Sequence, residues 1–473
     1  MLEAQNYFRQ NEFLKAFHVL EKLLPQLKLP GEKLLARDAL SLSGSTLRNL
    51  GLPTEAIEFF ITAASLAENN SDTCAEISDA IFTANCAEDF SAEDFQRLYA
   101  EYKKYLTDIK PYPRKFYNHK KIRVGFISAN FQWHVVMSWS WALLTELDKK
   151  IFDVYCYSNS ADADEVTAYM RKINIWRDIS ALSDAHAAQL IRDDEIDILF
   201  DLSGHTLGNR LRVADYRPAS VQISGIGYMN STGLDCFDYF LSDIYCGGDE
   251  NFFTEKLIRL PRIHICYEPP TKTLEPAAEP PCLKKNFITF GCFNSYAKIT
   301  DTILVAWKKI LDKIPNSRLI LKHKIYGTSD GKKFVGERLK RLGFDLARIE
   351  MRAHTANHLI EYGDIDIALD TFPYTGGVTT CEALFMGVPV VSLYGNRHGT
   401  RFGLSILKNI GLEELATDSI DEYINRAAAL AGDKELISIL RKNLRGMMIK
   451  SALMNSELYL RDIEEALIKI LAR

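Results

Sequence analysis

A glycine-containing loop between an apolar strand and a helix shows the most evident chemistry in this sequence. Residues 370–389 are DTFPYTGGVTTCEALFMGVP, in which an apolar run ends at Asp370 and a helix is predicted to begin near Val378. Gly376 and Gly377 lack side chains, so the backbone N–H groups around them can approach a ligand closely. The first N–H groups of a helix have no partners within it and lie at the positive end of its dipole. We therefore predict a diphosphate site here, although an ordinary capped helix has the same pattern.

Three polar side chains of the same helix extend this prediction. Thr379 and Thr380 add hydroxyl groups beside the expected phosphates. Glu382, which we expect in the first turn, can accept hydrogen bonds from ribose hydroxyls. The helix therefore favours a nucleotide as the bound diphosphate.

A second polar loop, FNSYAK at residues 293–298, follows another predicted strand and contains Ser295 and Lys298. A lysine in this position can neutralise the charge that builds up on phosphate as a nucleoside diphosphate departs. Without the glycine loop, Lys298 would be interpreted as a solvated surface lysine.

Earlier in the chain, four segments carry candidate residues, and those with His134, His205 and Gly227 lie at predicted strand ends. His134 lies in SANFQWH, Asp178 follows IWR, His205 lies in DLSGHT, and Gly227 lies in GIGY. A single histidine is more often structural than catalytic, but two on strand-end loops of one predicted lobe make both interpretations equally plausible.

Two successive β-α arrays would position these residues. Apolar runs typical of buried parallel strands occur at 121–128, 152–158, 196–203 and 239–242, and again at 287–293, 318–323, 365–370 and 389–393. A Pro-rich segment at 268–281 separates the arrays and is interpreted as a linker. The pattern predicts an α/β fold with two Rossmann-like, doubly wound lobes that bind ligands beyond the carboxyl ends of their strands.

The chain before residue 111 has a helical pattern. The small and large positions of a tetratricopeptide repeat are occupied by Gly44, Gly51, Ala56, Phe60 and Ala63, with a turn at residues 51–53. A weaker copy precedes it, and a generic helical cap is the alternative. The expected domains are therefore a helical domain over 1–110, a first lobe over 111–280 and a second lobe over 281–473.

The composition and net charge of the chain argue against several classes of protein. The 473 residues are 47% apolar and 25% charged, which excludes a mainly disordered chain. The net charge of −5, without a basic excess, argues against nucleic acid or an anionic membrane as partner. No apolar run is long enough to cross a bilayer, and the amino terminus lacks the pattern of a secretory signal. The nine cysteines form no Cys-x-x-Cys pair, which predicts reduced thiols in a cytoplasmic protein and neither zinc site nor disulfides.

Longer motifs resemble glycosyltransferase family 41, the protein O-linked N-acetylglucosamine transferases, and in particular their bacterial SPINDLY-like branch. These motifs are IRVGFISANFQWHVV, DILFDLSGHTLGNRL, YRPASVQISGIGYMNSTGLDCFDYFLSD, FGCFNSYAKIT, DIALDTFPYTGGVTTCEALFMGVPVV and GNRHGTRFG. Tetratricopeptide repeats before the catalytic region are also the layout of the family. The resemblance implies a GT-B fold and an inverting, metal-independent transfer of a sugar to protein side chains, with GlcNAc from UDP-GlcNAc to Ser or Thr as the first expectation.

The resemblance also implies roles for residues of the second lobe, the donor side. Lys298 would hold the donor diphosphate and assist the leaving group, Thr379 and Thr380 would bind phosphate, and Glu382 would bind the ribose. His358 would lie against the nucleobase. No cofactor beyond the nucleotide sugar is implied, and no metal.

In the first lobe, the resemblance implies that His134 borders the sugar and that the backbone at Gly227 contacts it. Asp178 matches a carboxylate considered as a proton acceptor, and Arg210 matches an arginine of the cleft. The remaining donor-binding residues that we expect are Ser295, Gly376, Gly377 and His205.

Four departures from the family pattern leave the donor sugar open. Asn130 replaces a usual Asp, Val378 stands where Thr is usual, Met229 replaces a Pro, and Leu207 stands where animal enzymes carry Lys. The nucleoside diphosphate site is expected to remain largely intact.

Several alternatives remain at this point. The donor can instead be GDP-fucose or a CMP-nonulosonic acid, the acceptor atom can be an asparagine nitrogen, or the chain can be an adaptor with a decayed transferase region. Two Asp-x-Asp pairs, Asp162/Asp164 and Asp364/Asp366, have the spacing of a metal site, but their polar helical and strand-flanking contexts disfavour one. A glycolipid-modifying enzyme is disfavoured because no apolar or basic membrane patch is evident. The expected partner is a protein acceptor, such as flagellin or another surface protein, and a homo-oligomer is left open.

Overall fold

The computed structural model of the protein describes residues 1–27, 30–271 and 273–471. The α-helices are α1 (Leu2–Arg9), α2 (Phe13–Leu23), α3 (Lys33–Asn49), α4 (Pro53–Leu66), α5 (Asn70–Ala84), α6 (Ala92–Lys103), α7 (Met137–Thr145), α8 (Glu165–Ile173), α9 (Asp184–Asp193), α10 (Leu211–Asp215), α11 (Asp301–Lys313), α12 (Ser329–Arg341), α13 (Val378–Phe385), α14 (Phe402–Asn409), α15 (Ile420–Gly432), α16 (Lys434–Lys450) and α17 (Ser456–Leu471). The strands are β1 (Ile122–Ser128), β2 (Phe152–Ser158), β3 (Ile175–Asp178), β4 (Ile198–Asp201), β5 (Val221–Gly225), β6 (Tyr239–Asp243), β7 (Lys256–Leu260), β8 (Ile288–Cys292), β9 (Ser317–Lys322), β10 (Ile349–Arg352), β11 (Ile367–Leu369), β12 (Val390–Leu393) and β13 (Ala416–Thr417).

The strands form two parallel sheets. The first has the order β3-β2-β1-β4-β5-β6-β7 and the second the order β10-β9-β8-β11-β12-β13. The paired strands are parallel throughout, as in β1–β4 and β8–β11. The order reverses between β1 and β4 and between β8 and β11, where doubly wound sheets bind ligands. The predicted α/β class with two doubly wound lobes is confirmed.

The edge strands β3, β7, β10 and β13 are absent from the predicted strands. They are short and partly exposed, so their sequences lack the continuous apolar run of a strand buried on both faces. β5 is central, but Gln222 and Ser224 interrupt its apolar pattern. The Gln222 amide donates to the carbonyls of Ala214 and Cys236, which explains how it is tolerated in the core.

The chain forms two compact units. The first-sheet unit comprises Asn69–Phe82, Ser91–Pro270 and Lys450–Arg473, and the second-sheet unit comprises Met1–Glu68, Thr83–Phe90 and Thr271–Ile449. The change at 270–271 falls within the Pro-rich segment interpreted as a linker.

These units differ from the expected domains. The helices before residue 111 are divided between the two units, and α17 belongs to the first-sheet unit, where it contacts β7 and α7. The separate domain ranges 1–110, 111–280 and 281–473 therefore stay a prediction. Tertiary packing, rather than order along the chain, decides which sheet each helix joins.

The helical hairpin α3–α4 shows the predicted close packing. A methyl group at Gly44 would lie 2.9 Å from the ring of Phe60, and Gly51 has a φ of +72° in the turn. A methyl group at Gly51 would also lie 3.2 Å from the ring of Tyr296. The hairpin turn thus contacts the loop that carries Lys298.

All nine cysteines are buried, and none forms a disulfide. In the part of the chain that the structure describes, no helix combines the length and apolar character that a membrane span requires.

Candidate nucleotide site

The amino terminus of α13 lies beyond the carboxyl end of β11, beside the reversal of strand order in the second sheet. Gly377 is its N-cap and offers no side-chain cap. The first helical hydrogen bond runs from the Cys381 N–H to the Gly377 carbonyl, at 3.0 Å. Among the described residues, none accepts a hydrogen bond from the N–H groups of Val378, Thr379 or Thr380. These three donors can therefore bind an anion such as phosphate.

The carboxylate of Asp370 fixes the glycine loop through hydrogen bonds. Its buried carboxylate accepts hydrogen bonds from the N–H groups of Thr371 (2.8 Å) and Gly376 (2.7 Å) and from the hydroxyl of Ser392 (2.7 Å). Burial raises the pKa of Asp370 to about 6, against the effect of these donors. At neutral pH it is mainly ionised, and its oxygens are already occupied by neighbouring donors.

Asn294, which follows β8, links the second loop to α13. Its side-chain oxygen accepts the hydroxyl proton of Thr379 at 2.7 Å, and its amide nitrogen lies 3.4 Å from a carboxylate oxygen of Asp370. Asn294 therefore orients the Thr379 hydroxyl, while the backbone N–H of Thr379 remains available for a ligand. Thr380 is buried beside Gly376, where a methyl group would lie 2.5 Å from its hydroxyl oxygen.

Lys298 ends a short 3₁₀ turn, Tyr296–Lys298, in which Ser295 is the N-cap and accepts the backbone N–H of Lys298. Its Nζ donates to the carbonyl of Thr375 at 3.2 Å and lies 3.4 Å from the centroid of the Tyr374 ring. Desolvation lowers the pKa of Lys298 to about 8. Two separate predicted loops thus bring a cation beside the helix terminus that is predicted to bind phosphate.

Glu382 is the fifth residue of α13, so the expectation that it lies in the first turn is wrong. Its buried carboxylate accepts a hydrogen bond from Nε2 of His358 at 3.0 Å. This hydrogen bond raises the pKa of His358 above its usual value, although burial opposes it. The residues predicted to contact ribose and nucleobase are therefore bound to each other.

A partly buried ion pair holds the segment before His358. Nζ of Lys322, at the end of β9, donates to Glu361 at 2.6 Å, to the hydroxyl of Thr355 at 3.0 Å and to the carbonyl of Ala353 at 2.6 Å. None of these residues was predicted to belong to the site. The only signal in the sequence is a lysine that directly follows the apolar run LIL.

In the first-sheet unit, His134 and Asp178 differ as possible bases. His134 is exposed, its Nδ1 accepts the N–H of Val136 at 3.2 Å, and partial desolvation lowers its pKa. Asp178 is also exposed and accepts the hydroxyl and N–H of Ser180 at 2.7 and 3.0 Å, which lower its pKa. A carboxylate stabilised in this way is a weak base, and the basic nitrogen of neutral His134 is Nδ1, which already accepts the Val136 N–H.

Arg210 has a structural role, and the donor contact that the resemblance implies for it stays a prediction. Its guanidinium donates to Asp184 (2.9 Å), Asn159 (2.8 Å) and the carbonyls of Ile179 (3.1 Å) and Leu182 (2.9 Å). The side chain is 10% exposed. It joins the loops after β2 and β3 to α9.

His205 and Gly227 also have structural explanations. His205 is 1% exposed, its two ring nitrogens contact the hydroxyl of Ser78 at 2.9 Å and the carbonyl of Thr232 at 2.8 Å, and burial lowers its pKa to about 4. No polar atom of the ring remains for a donor, contrary to the prediction. A methyl group at Gly227 would lie 1.9 Å from the carbonyl oxygen of Leu202, so close packing alone requires glycine there.

Comparison with known proteins identifies the family. The model for Glycosyl transferase family 41 matches residues 103–268 and 266–463, which is most of the chain. The chain belongs to glycosyltransferase family 41.

Plant relatives support this assignment. A protein of Solanum lycopersicum named "Probable UDP-N-acetylglucosamine--peptide N-acetylglucosaminyltransferase SPINDLY" is 36% identical over 380 residues, which are 78% of this chain and 40% of that protein. The protein of the same name from Arabidopsis thaliana is 36% identical over 357 residues, 73% of this chain and 39% of that one. The chain thus spans about 40% of the length of these relatives.

Among solved structures, a variant of the O-GlcNAc transferase of Thermobaculum terrenum is similar to this chain with a TM-score of 0.85 and 28% identity. The match covers 99% of this chain and 96% of that chain.

The departures from the family 41 pattern fall in different environments. Val378 is the first residue of α13, so the loss of a hydroxyl leaves the helix N–H groups in place. Asn130 is partly buried and donates its N–H to Ser128, Met229 is buried, and Leu207 is 87% exposed.

Three of the four acidic residues with metal-site spacing have other partners. Asp164 caps α8 and Asp364 contacts Arg352 at 2.7 Å. Asp366 is buried and accepts the N–H groups of Cys282 and Thr289.

Proposed function

We propose that this family 41 chain is an inverting, metal-independent glycosyltransferase that moves GlcNAc from UDP-GlcNAc to a Ser or Thr hydroxyl of a protein. The single observation that carries the proposal is the juxtaposition of the uncapped α13 amino terminus with the ammonium group of Lys298. The names of the SPINDLY relatives support the choice of donor and acceptor. The proposed location is the cytoplasm.

In the proposed reaction, the acceptor oxygen attacks the anomeric carbon from the face opposite the phosphate. The bond between that carbon and the phosphate oxygen breaks, and its electron pair leaves with the diphosphate. The N–H groups of Val378, Thr379 and Thr380 and the Lys298 ammonium stabilise the negative charge that develops. Removal of one such preoriented donor typically raises the barrier by about 2.7–4 kcal/mol.

The acceptor proton must leave as the new bond forms. It can transfer to the departing phosphate, or to Nδ1 of His134 once that atom has released the Val136 N–H; the lowered pKa keeps the ring neutral at pH 7. The lowered pKa of Asp178 makes that residue the weaker candidate. Replacement of His134 by Asn should therefore slow transfer more than replacement of Asp178 by Asn.

The test begins with calorimetric titration of the full chain with UDP, GDP and CMP. We expect UDP to bind and Lys298→Ala to weaken that binding. Intact-mass measurement of Ser- and Thr-containing peptides incubated with UDP-GlcNAc then detects transfer, and release of the sugar by β-elimination distinguishes an O-linkage from an N-linkage. Turnover should survive a chelator.

Preference for GDP or CMP would reassign the donor to GDP-fucose or a CMP-nonulosonic acid. Tight nucleotide binding without transfer would favour the adaptor interpretation. Binding of all three nucleotides undiminished by Lys298→Ala would refute the proposed site.

A further inference from the structure

The environment of Lys298 lacks the usual counter-ion. Among the described residues, no carboxylate lies within ion-pair distance of its Nζ, although the side chain is only partly exposed. Asp370 is the carboxylate among the groups that influence the pKa of Lys298, but its oxygens accept hydrogen bonds from Thr371, Gly376 and Ser392. A desolvated ammonium without a counter-ion requires other stabilisation.

The face of the Tyr374 ring supplies that stabilisation. Nζ lies 3.4 Å from the ring centroid, well inside the distance of about 6 Å over which cation–π attraction acts. The carbonyl of Thr375, the next residue, accepts one of the three ammonium protons at 3.2 Å. Both contacts come from the loop that leads to α13, so they place the cation next to the helix terminus.

The remaining titratable neighbours contribute no negative charge near neutral pH. Burial raises the pKa values of Cys86 and Cys292, so both thiols stay protonated. Burial likewise raises the pKa of the Tyr374 phenol above its usual value of 10, so the ring is neutral. The ammonium is therefore held by the quadrupole of the Tyr374 ring and the dipole of the Thr375 carbonyl, and neither of them cancels its charge.

We propose that Tyr374 is the positioning residue of Lys298: the face of its ring holds the ammonium at the phosphate site while leaving the full positive charge for the incoming diphosphate. A carboxylate in the same place would hold the lysine but neutralise it, and the diphosphate would then have to displace that partner. The inference rests on the proposed function, because it takes the group near α13 to be a nucleoside diphosphate.

Loss of the Tyr374 ring should change the pH dependence of UDP binding in a defined direction. An ammonium bound to a ring face is favoured over the neutral amine, so loss of the ring should lower the pKa of Lys298 below its value of about 8. Since the protonated lysine binds diphosphate, affinity for UDP should decrease at a lower pH in the variant. A cation–π contact of ordinary strength moves this midpoint by up to about one pH unit, which is up to about a fivefold loss of affinity at pH 8 and approaches about tenfold at pH 9.

The experiment is calorimetric titration with UDP between about pH 7 and about pH 9, a range that includes the Lys298 pKa of about 8. Tyr374→Phe should keep the midpoint near that of the unmodified protein, because the ring remains. Tyr374→Leu should lower it. Phenylalanines with one, two and three ring fluorines at position 374 should lower it progressively, since fluorine withdraws charge from the ring face with little change in shape.

The matched control is Phe287→Leu. Phe287 lies just before β8, at the opposite end of the strand from Lys298, and its ring centroid is 4.7 Å from the guanidinium carbon of Arg318. This variant removes a cation–π contact elsewhere in the same unit and should leave the midpoint unchanged. Thermal unfolding of each variant checks the fold, and the fluorinated series still decides the question if Tyr374→Leu does not fold.

A midpoint that is unaffected by fluorination would overturn the inference, because mere packing depends on ring shape and not on its charge distribution. Lys298→Ala distinguishes an error in the role of Tyr374 from an error in the proposed nucleotide site. If this variant abolishes the pH step but fluorination has no effect, only the role of Tyr374 is wrong. If Lys298→Ala retains both full affinity and the step, the proposed nucleotide site itself is wrong.

Discussion

Replacement of Gly376 by alanine should damage the proposed nucleotide site with little effect on the rest of the protein. The added methyl group would lie 2.5 Å from the hydroxyl oxygen of Thr380, 2.8 Å from that of Thr379 and 3.0 Å from a carboxylate oxygen of Asp370. Ordinary van der Waals contact begins near 3.4 Å. The three neighbours come from both sides of the loop, so no single side-chain rotation relieves all three contacts.

The size of the effect follows from the displacement. The shortest contact falls short of ordinary contact by about 0.9 Å, so either the glycine loop or the first turn of α13 must move by a comparable distance. A misplacement of about 1 Å typically costs about a hundredfold in rate. We therefore expect kcat to fall about a hundredfold. Overpacking should cost about 1–3 kcal/mol in the free energy of unfolding.

Calorimetric titration with UDP, turnover of UDP-GlcNAc and thermal unfolding measure these effects. Gly446→Ala is the matched control, because a methyl group at that position of α16 has no neighbour within 4 Å. Alanine should stabilise that helix by about 0.8–1.0 kcal/mol and leave UDP affinity unchanged. If Gly376→Ala binds UDP as tightly as the unmodified chain, the phosphates do not lie against this loop.

Three further predictions concern single side chains. Lys298→Ala should lower kcat by about a hundredfold to a thousandfold without unfolding the protein. Lys298→Arg should not restore kcat fully, because the charge of the arginine is spread over a planar group. The kcat/KM of the unmodified enzyme should decrease above about pH 8, where Lys298 loses its proton. Glu382→Gln should lower the pKa of His358, measured by NMR titration, because the hydrogen bond to the carboxylate is the main cause of its elevation. His205→Phe should destabilise the protein by about 2–4 kcal/mol at pH 7, since two buried hydrogen bonds are lost, and leave UDP affinity unchanged.

The His205 prediction has a pH dependence that tests its basis. The folded pKa of about 4 lies below the ordinary value of 6.5, so the unfolded chain binds more protons between these values. The contribution of neutral His205 is therefore complete above pH 6.5 and decreases by up to about 3 kcal/mol as the pH approaches 4. The deficit of His205→Phe, measured by denaturant unfolding, should shrink over the same range. A constant deficit would contradict the assignment of a buried neutral imidazole.

Some site residues were recognisable from their neighbours in the chain, whereas others depended on partners that are distant in the sequence. Gly376, Gly377 and the first residues of α13 were recognisable because a strand, a loop and a helix start are consecutive in the chain. Lys298 was recognisable as the end of a neighbouring strand loop. From the sequence alone, Arg210 and His205 were equally plausible as site residues. In the structure, Asp184 and Asn159 accept hydrogen bonds from Arg210, and Ser78 and Thr232 contact the ring nitrogens of His205. Such partners lie far away along the chain, so no local pattern reveals them.

The amino-acid sequence by itself determined the class of fold, the two parallel arrays and the glycine loop, because buried strands, helix starts and turns are set by neighbouring residues. Only the tertiary structure decided that Asn294 orients Thr379, that Glu382 is bound to His358 and that the ring of Tyr374 lies against Lys298. It also decided which unit each amino-terminal helix joins. These outcomes depend on burial and on contacts between distant segments, and both arise only when the sheets and helices have packed.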